Sequence, residues 1–402
     1  MQATRRTWIT AAAMSAASYQ RVLGANDRIR IGLIGTGSRG TYVTKLFKET
    51  GQCEIAALCD VYTPNLERAR AELNPDAPSF LDYRELLAQK DIQAVVIGSP
   101  DHWHVPMTMD AMKAGKDVYV EKPLTHTVEE GRRLAEFVNG RKELVQVGYQ
   151  QRNTPTFERV RELVNEGKLG DITLVQAYWH SGQYGAVERI NEFDFKPDNL
   201  DWKRWLGPAP ERPVDKLRFR VWRYFWDYGG GSVTDLMSHW IDALHWIMAD
   251  DTPTHIAAFG ENTVTPELEC PDSIVASMHY PKRFLLTFRN TVYGGREPYG
   301  ITIHGSKGWV RFSRQSLELW YSRQESRNQA AMLINDIDGT PYHVLDFLNC
   351  VRTRKQPRSD VQSAVKSAEV GHRTNQAIRS MQVSAVWNGA ASQEKERSTC
   401  VK

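Results

Sequence analysis

A glycine-rich turn between a strand and a helix is the feature that most constrains how this chain folds. Residues 28–34 form a short β-branched strand pattern, and residues 41–49 have helical character. The turn between them consists of Gly35, Thr36, Gly37, Ser38, Arg39 and Gly40. In such a turn the first glycine permits the tight bend, the second lets the backbone approach a pyrophosphate, and the third lets helix and strand pack closely. The helix N-terminus then faces the phosphate charge, so the pattern predicts a dinucleotide-binding turn.

The acid that usually accompanies such a turn is also present. A second strand pattern, residues 54–59, ends in Asp60, 20 residues after Gly40. A carboxylate there would accept hydrogen bonds from the adenosine ribose and repel a 2′-phosphate, which favours NAD over NADP. The alternative is an ordinary glycine turn followed by an acidic helix cap.

Strands and helices continue to alternate up to residue 148. The helical patterns span 65–73, 82–88, 105–114 and 128–139, and the apolar strand patterns span 93–98, 117–120 and 144–148. This alternation predicts a doubly wound parallel sheet, in which ligands lie at the carboxyl ends of the strands. Two loops at such ends carry unusual residues: Ser99-Pro100-Asp101-His102-Trp103-His104 and Glu121-Lys122-Pro123.

The periodicity changes in the second half of the chain. After a helical pattern at 157–166, strand patterns occur at 172–180, 256–259, 274–280, 284–290, 301–304, 309–312 and 317–321. Few helices separate them from residue 256 onward, which predicts an α+β domain with a largely antiparallel sheet. Residues 342–381 read as two helices, and the polar segment 388–402 is predicted to be disordered.

One helical segment, GGGSVTDLMSHWID at 229–242, combines an apolar face with a polar stripe. Asp235, His239 and Asp242 have helical spacing and are predicted to share one face. Buried polar side chains need partners or a function. Two structural alternatives stay open: Asp235 as the third residue of a capping box with Ser232, and His239 as a hydrogen-bonded core histidine.

Tryptophan is concentrated in the same region. Seven of the 12 tryptophans lie within 68 residues: Trp179, Trp202, Trp205, Trp222, Trp226, Trp240 and Trp246. Indole rings stack well on the apolar faces of sugar rings, although each single tryptophan can equally belong to the core.

Composition excludes several other classes of protein. Lys plus Arg exceeds Asp plus Glu by only 3 in 402 residues, which gives no argument for nucleic acid or an anionic membrane. The sequence has no uninterrupted apolar stretch of about 18 residues, so it predicts no membrane helix. The five cysteines form neither a CxxC pair nor a disulfide framework. His102 and His104 would share a face of an extended segment, but no further metal ligands lie nearby, so no metal is expected.

The N-terminus has the features of an export signal. Arg5 and Arg6 precede an Ala-rich segment, and Leu23-Gly24-Ala25 is a small-residue, cleavage-like end. The paired arginines predict a twin-arginine signal over residues 1–25 and a periplasmic location. The alternative is a basic tail on a cytoplasmic protein.

Taken together, the glycine turn with Asp60, SPDHWH, AGKDVYVEKP and the GGGSVTDLMSHWID segment resemble the Gfo/Idh/MocA family of NAD(P)-dependent oxidoreductases. The resemblance covers about residues 28–385. It implies an NAD-binding Rossmann domain at 26–150, a substrate domain at 151–340, and helices at 341–387 that pack back on the first domain. It also implies a homo-oligomer, a dimer or tetramer, formed through the open sheet. Exported members such as glucose–fructose oxidoreductase hold their nucleotide tightly.

The resemblance also assigns residues. It implies Lys122, Asp235 and His239 as catalytic, with a cis bond possible before Pro123. The nucleotide is expected at the six turn residues and at Asp60, Ser99, Pro100, His102, Trp103, His104, Glu121 and Lys122. Substrate contacts are expected from Lys122, Gln151, Arg152, His180, Tyr184, Arg223, Asp235 and His239.

The resulting hypothesis is hydride transfer between a sugar carbinol and tightly bound NAD. A base must remove the hydroxyl proton, and a histidine has a suitable pKa for this task, so His239 is the predicted base. Lys122 would hydrogen-bond the reacting oxygen. Two alternatives remain: a redox-assisted glycosidase, which oxidises, eliminates, hydrates and reduces, and a non-catalytic nucleotide- or sugar-binding protein.

Overall fold

The computed structural model describes residues 28–180, 184–292, 298–321, 332–335, 338–381 and 384–385. The paired arginines of the predicted export signal and the polar segment 388–402 lie outside these residues. The expectations for both therefore stay predictions.

The first half is a parallel sheet covered by helices. Its strands are β1 (Ile29–Ile34), β2 (Cys53–Cys59), β3 (Ser79–Phe80), β4 (Ala94–Ile97), β5 (Asp117–Val120) and β6 (Val145–Val147). Its helices are α1 (Ser38–Glu49), α2 (Thr63–Leu73), α3 (Tyr83–Leu87), α4 (Asp101–Lys113) and α5 (Val128–Phe137). The strand order is β3-β2-β1-β4-β5-β6, with every pair parallel. Strands β4 and β5 are buried at every residue because helices cover both faces. The predicted doubly wound Rossmann sheet is confirmed.

The second half is built on a larger, mixed sheet. Its helices are α6 (Pro155–Asn165), α7 (Tyr184–Glu188), α8 (Trp202–Leu206), α9 (Lys216–Arg220) and α10 (Ser238–Met248). Its strands are β7 (Ile172–Trp179), β8 (His255–Glu261), β9 (Ser273–His279), β10 (Leu285–Asn290), β11 (Tyr299–Gly305), β12 (Gly308–Phe312), β13 (Ser316–Tyr321) and β14 (Met332–Asn335). Helices α11 (Thr340–Thr353) and α12 (Val361–Ser380) and a short strand β15 (Ser384–Ala385) follow.

The nine strands have the order β14-β13-β12-β11-β7-β10-β9-β8-β15. Strands β7 and β10 run parallel, and the other neighbouring pairs are antiparallel. Residues of β9 alternate between buried and exposed, because one face of the sheet packs on helices α6 and α10 while the other stays open. The expected largely antiparallel sheet is confirmed.

The last two helices return to the first half of the chain. Helix α12 packs against α5 and α10, and α11 packs against α1. The aromatic pair Phe47 and Phe347 meets edge-to-face in the core below β1, with ring centroids 5.7 Å apart. These contacts join the two sheets into one body and fix the cleft between them.

One local prediction is wrong. The segment 101–104 was expected to be an extended loop, but it is the first turn of α4, which begins directly after Pro100. Residues two apart on a helix point in nearly opposite directions. His102 and His104 therefore do not share a face.

Candidate functional site

Two adjoining cavities lie at the carboxyl ends of the parallel strands. The larger, of about 380 Å³, runs along the glycine turn and past Asp60. The smaller, of about 240 Å³, lies between the two sheets and is lined by Lys122 and His239. Arg39 and Ser99 line both cavities, so a molecule lying along the glycine turn reaches the smaller cavity.

The glycine turn has the geometry that a pyrophosphate requires. Gly35 has φ of 87°, and a Cβ there would lie 2.7 Å from the backbone of Ser99. A Cβ on Gly40 would lie 2.1 Å from the carbonyl oxygen of Gly35, which explains why helix and strand can approach so closely. A Cβ on Gly37 would meet no protein atom within 4 Å, because Gly37 faces the larger cavity. The open space at Gly37, directly before α1, fits a phosphate group.

Asp60 holds this turn as well as lining the cavity. Its Oδ2 accepts hydrogen bonds from the Thr36 backbone N at 2.7 Å and the Thr36 hydroxyl at 2.9 Å, and its Oδ1 accepts one from Tyr62 N at 2.9 Å. Burial raises the pKa of Asp60, while these hydrogen bonds oppose the rise. The predicted ribose acceptor thus has a second task, which is to fix the conformation of the turn.

The other predicted nucleotide residues divide into two groups. Ser99, Pro100 and Trp103 line the larger cavity, and His104, Glu121 and Lys122 line the smaller one. Thr36 and Gly40 make packing and hydrogen-bond contacts within the turn itself. Trp103 lies beside Tyr83, at 5.8 Å between ring centroids, and lines the larger cavity only.

His102 lines neither cavity. Its Nε2 lies 3.1 Å from the carbonyl oxygen of Trp205, and its ring packs against Trp205 and Tyr228. Burial lowers the pKa of His102 to about 3. The position of His102 therefore favours a packing role over contact with the nucleotide. In that role His102 joins α4 to the substrate domain.

Residues 190–223 cover the outer side of the larger cavity. Asp201 N donates to Val61 O at 2.9 Å, and Trp103 Nε1 donates to Trp205 O at 2.9 Å. Trp205 and Phe219 line the cavity from this side. Trp205 and Trp222 of the tryptophan-rich region therefore lie at the nucleotide site, and Trp202 stacks on Trp205 with ring centroids 4.6 Å apart.

Lys122 and Asp235 form a buried ion pair between the two sheets. Lys122 Nζ lies 2.5 Å from Asp235 Oδ1 and 2.8 Å from the Asp235 carbonyl oxygen. Arg223 Nε donates to the same Oδ1 at 3.2 Å. Burial alone would raise the pKa of Asp235, but the charges of Lys122 and Arg223 lower it to about 2. Asp235 is thus an anion that holds two cations at the cavity.

The loop that carries Lys122 is fixed by its neighbours. The Lys122–Pro123 peptide bond is cis, and His104 Nδ1 lies 2.6 Å from the Pro123 carbonyl oxygen. Glu121 accepts a hydrogen bond from Arg39 Nε at 2.9 Å. Arg39 Nη2 and Glu121 Oε2 are buried without a hydrogen-bond partner in the described part of the chain. Both residues line the smaller cavity, so a donor and an acceptor are free there for the polar end of a bound cofactor.

His239 is held by Gln151 and Trp179. Its ring stacks on the Trp179 indole with centroids 5.5 Å apart, and Gln151 lies 3.1 Å from Nδ1. The other end of the Gln151 carboxamide faces Arg314, whose Nε and Nη2 both lie 3.0 Å away. A guanidinium only donates, so the carboxamide oxygen must face it and the amide nitrogen must donate to His239 Nδ1. In the neutral ring the proton is then on Nε2.

The charge state of His239 follows from its surroundings. Burial and the positive charges of Lys122, Arg314 and Arg39 hold the pKa of His239 well below its usual range. The imidazole is therefore neutral and offers an Nε2–H donor. This geometry disagrees with the predicted role of His239 as the base.

Asp235 lies in a π-helical turn, whereas His239 and Asp242 lie on the regular helix α10 that follows. Residues Val233–Met237 are π-helical, and α10 begins immediately afterwards. The Ser232 hydroxyl bonds Tyr224 instead of capping the helix, which removes the capping-box alternative. Turns of this type are frequent at functional sites. Asp242 instead pairs with Arg152, below the cavity.

The predicted substrate residues Gln151, Arg152 and His180 do not line the smaller cavity. Arg152 donates to Asp242 at 2.8 and 2.7 Å, and this pair is buried away from the smaller cavity. His180 stacks on Tyr178 and lines neither cavity. The side chain of Tyr184 lies outside the described residues. The prediction that Arg152 contacts substrate is wrong because its guanidinium is already paired bidentately.

Sequence reasoning missed two residues at the smaller cavity. Asp101 is buried and lines it, with no hydrogen bond to its carboxylate from the described residues. Arg314 lines it from the turn between β12 and β13. The helix start after Pro100 was a signal for Asp101, but nothing in the hairpin sequence distinguishes Arg314 from an exposed turn residue. Trp179 and Trp222, which do line this cavity, belong to the tryptophan cluster seen in the sequence.

Within the described residues, no group of three or more His, Cys, Asp and Glu side chains is arranged to hold a metal ion. The helices among these residues are too short or too polar to cross a membrane.

The chain matches two family models. Residues 29–149 match an oxidoreductase family with an NAD-binding Rossmann fold, and residues 202–311 match the GFO/IDH/MocA C-terminal domain. An uncharacterized oxidoreductase of Synechocystis is 30% identical over 308 residues, which are 73% of this chain and 74% of that protein.

Similarity to characterised proteins is more limited. An inositol 2-dehydrogenase of Gluconacetobacter diazotrophicus is 33% identical over 181 residues, 44% of this chain and only about half (53%) of that enzyme. The crystal structure of the WlbA dehydrogenase from Bordetella pertussis, in complex with NADH and UDP-GlcNAcA, has a TM-score of 0.71 and 20% identity. The match covers 90% of this chain and 98% of that one, and it shows a shared fold.

Proposed function

Because the chain belongs to the Gfo/Idh/MocA family of NAD-binding oxidoreductases, we propose that it transfers hydride between NAD and a carbinol of a sugar or sugar derivative. The observation that carries the proposal is the convergence of His239 and of Lys122, held by Asp235, on a cavity that adjoins the dinucleotide turn. The inositol 2-dehydrogenase relative acts on a polyol, which supports the substrate class.

When bound, the nicotinamide ring accepts or returns the hydride. The chain must then hold the alcohol and move its proton. Lys122 Nζ, kept in place by Asp235, hydrogen-bonds the reacting oxygen. In the reductive direction the Lys122 ammonium group gives a proton to the reacting oxygen, and in the oxidative direction Nζ accepts the alcohol proton after the ammonium group has first released one to solvent.

His239 acts as a neutral donor. Its Nε2–H hydrogen-bonds an oxygen of the substrate, and its tautomer is maintained by the amide of Gln151. Asp235 stays ionised because its pKa is about 2. The roles proposed for Lys122 and His239 are therefore exchanged relative to the expectation from sequence.

Single-turnover kinetics on the purified holoenzyme test these roles. Co-purifying nucleotide is first identified by absorbance and mass spectrometry, and a panel of sugars and polyols is screened for NADH formation. Lys122→Gln is expected to lower the rate of hydride transfer by about 10²–10⁴-fold, the usual contribution of a positioned acid or base. Lys113→Gln, a matched exposed lysine, is the control. Wild-type rates in both Lys122→Gln and His239→Asn would contradict the proposal, and so would NADH binding without transfer to any member of the panel.

A second candidate function is a redox-assisted glycosidase, and Asp101 favours it. Elimination from an oxidised sugar needs one more acid or base beside Lys122. Burial raises the pKa of Asp101 well above its usual range, and its carboxyl group lines the cavity beside Lys122. Aglycone release from aryl glycosides without added NAD, lost in Asp101→Asn, would support this function. Formation of keto-sugar alone would exclude it.

The location and assembly of the protein belong to the same proposal. Paired Arg5 and Arg6 support twin-arginine export with NAD retained as in glucose–fructose oxidoreductase. Phe259, Val275 and Leu285 are 69%, 55% and 52% exposed on the open face of the large sheet, which supports a homo-oligomer through that face. Fractionation of cells producing the Arg5→Lys, Arg6→Lys variant, and light scattering of Val275→Lys, test the two parts separately.

A further inference from the structure

We propose that Arg314 is the anchor for a carboxylate on the substrate, so that the preferred substrate is a sugar acid rather than a neutral sugar. The proposal rests on the proposed function, since it names the substrate class of the same cavity. It depends on a partly buried guanidinium that has no counter-ion among the described residues, and on the cavity that this guanidinium lines.

Arg314 is rigidly placed. Its Nε and Nη2 donate to the Gln151 carboxamide oxygen, both at 3.0 Å. Its guanidinium lies over the Trp179 indole, with Cζ 4.7 Å from the ring centroid. Two hydrogen bonds on one edge and an aromatic ring below leave the Nη1 end of the guanidinium for another acceptor. The orientation is fixed before any ligand binds.

The other three arginine and lysine side chains that line this cavity have carboxylate partners. Arg39 pairs with Glu121 at 2.9 Å, whereas Lys122 and Arg223 share Asp235. Arg314 has no carboxylate within 4 Å in the part of the chain that the structure describes.

A partly buried charge without a counter-ion is unfavourable, and the pKa of Arg314 reflects this. Burial, together with the charge of Arg39, lowers the pKa of Arg314, although Asp338 and Asp235 act in the opposite direction from further away. Asp338 itself is exposed and is bonded to Tyr42 and Thr340. A ligand carboxylate would supply the missing counter-ion and relieve this cost.

The position of Arg314 separates it from the nucleotide. It lines the smaller cavity and not the larger one, whereas Arg39 and Arg223 line both. It lies on the turn between β12 and β13, in the substrate domain. The smaller cavity, at about 240 Å³, lies below the roughly 300–1,000 Å³ of drug-sized ligand sites. The space suits a small polyhydroxy acid.

A carboxylate fits better than a phosphate. A guanidinium binds either group with two parallel hydrogen bonds. One unpaired cation neutralises one carboxylate, whereas a phosphate ester carries a charge of about −1.5 to −2 at neutral pH. At Arg314 itself, the single charge without a carboxylate partner therefore matches a monoanion.

The test compares matched sugars on the NADH-loaded holoenzyme. The probes are hexoses, the corresponding hexuronates and hexose 6-phosphates in the gluco, galacto and manno series. Affinity is measured by quenching of tryptophan fluorescence and by calorimetry, and turnover is measured as kcat/KM. Arg314→Gln, Arg314→Lys and the control Arg311→Gln are compared. Arg311 lies on the same hairpin but pairs with Glu318 outside the cavity.

The wild type is expected to bind a hexuronate more tightly than the matched hexose. Arg314→Gln should reduce the hexuronate-to-hexose ratio of affinities by roughly 10- to 100-fold, as for the loss of a charged hydrogen bond. Arg314→Lys should restore part of the ratio, and Arg311→Gln should leave it unchanged.

Three results would overturn the inference. The first is an unchanged hexuronate-to-hexose ratio of affinities in Arg314→Gln. The second is a preference for the hexose 6-phosphates that depends on Arg314. The third is a loss of NADH affinity in Arg314→Gln equal to the loss of hexuronate affinity, which would assign Arg314 to the nucleotide. Binding is measured separately from turnover, so the two proposals fail separately. Hexuronate binding that depends on Arg314 without hydride transfer would reject the proposed function alone. Transfer to neutral hexoses with an unchanged ratio would reject this inference alone.

Discussion

Lys122 Nζ lies 2.5 Å from Asp235 Oδ1, although 113 residues separate the two in the chain. Lys122 follows β5 of the parallel sheet, and Asp235 lies in the π-helical turn before α10. The ion pair therefore joins the nucleotide domain to the substrate domain at the smaller cavity. Both side chains are largely buried, with exposed fractions of 11% and 13%.

Replacing Asp235 by Asn is expected to reduce both stability and turnover. Removal of one partner from a buried ion pair leaves an uncompensated charge and destabilises by about 3–5 kcal/mol. Urea denaturation measures this loss, and single-turnover kinetics measure the effect on hydride transfer. The control Asp91→Asn removes an exposed partner of Arg30 and should change stability by about 0–1 kcal/mol. Equal effects of the two substitutions would contradict a special role for the Lys122 pair.

Substitution of two glycines of the turn is expected to have different effects, one on nucleotide binding and the other on the stability of the protein. Gly37→Ala adds a Cβ where no protein atom lies within 4 Å, so the melting temperature should stay unchanged while the affinity for NADH falls. Gly40→Ala places a Cβ 2.1 Å from Gly35 O, so the protein itself should be destabilised. Thermal melting and NADH titration of both variants check this. Equal NADH affinity in Gly37→Ala and wild type would show that the nucleotide does not approach this glycine.

Gln151 is expected to control the tautomer of His239. Gln151→Glu presents a carboxylate to Nδ1, which must then carry the proton, and Nε2 becomes an acceptor. Loss of this fixed donor should lower kcat by about 10²-fold. Nitrogen-15 NMR of the histidine ring reports the tautomer directly. Gln315→Glu, an exposed change beside Arg314, is the control. An Nδ1-protonated wild-type ring would reject the assignment.

Buried histidines should make the protein labile to acid. Burial lowers the pKa of His102, His245, His343 and His372 to about 3, from 6.5. Between these values the unfolded chain binds more protons, so stability is complete above pH 6.5 and falls as the pH decreases toward 3.

At pH 5 each of these histidines removes up to about 2 kcal/mol of stability. Urea midpoints at pH 7.5 and pH 5.0 measure the difference for the wild type. His343→Gln should shrink the difference by about that amount, and the exposed His255→Gln should leave it unchanged. A wild-type stability that is flat from pH 7.5 to pH 5.0 would contradict this prediction.

Local sequence was a good guide to the sheets and a poor guide to individual site residues. The turn from Gly35 to Gly40 and the apolar runs of β4 and β5 are local patterns, and they predicted the parallel sheet. The role of Arg152 depended on where Asp242 lies, 90 residues away, and no local pattern records that pairing. Asp235, His239 and Asp242 were predicted to share one face, but their different roles depend on partners from distant segments of the chain.

The sequence alone determined the dinucleotide turn, the two-domain order and the identity of the chemical groups, because these depend on backbone conformation and side-chain periodicity. Only the tertiary structure decided what those groups can do. It buried His239 among cations, so that the ring is neutral. It also brought Arg314 to the smaller cavity, where the residue that it meets from a distant segment is the uncharged Gln151 and not a counter-ion.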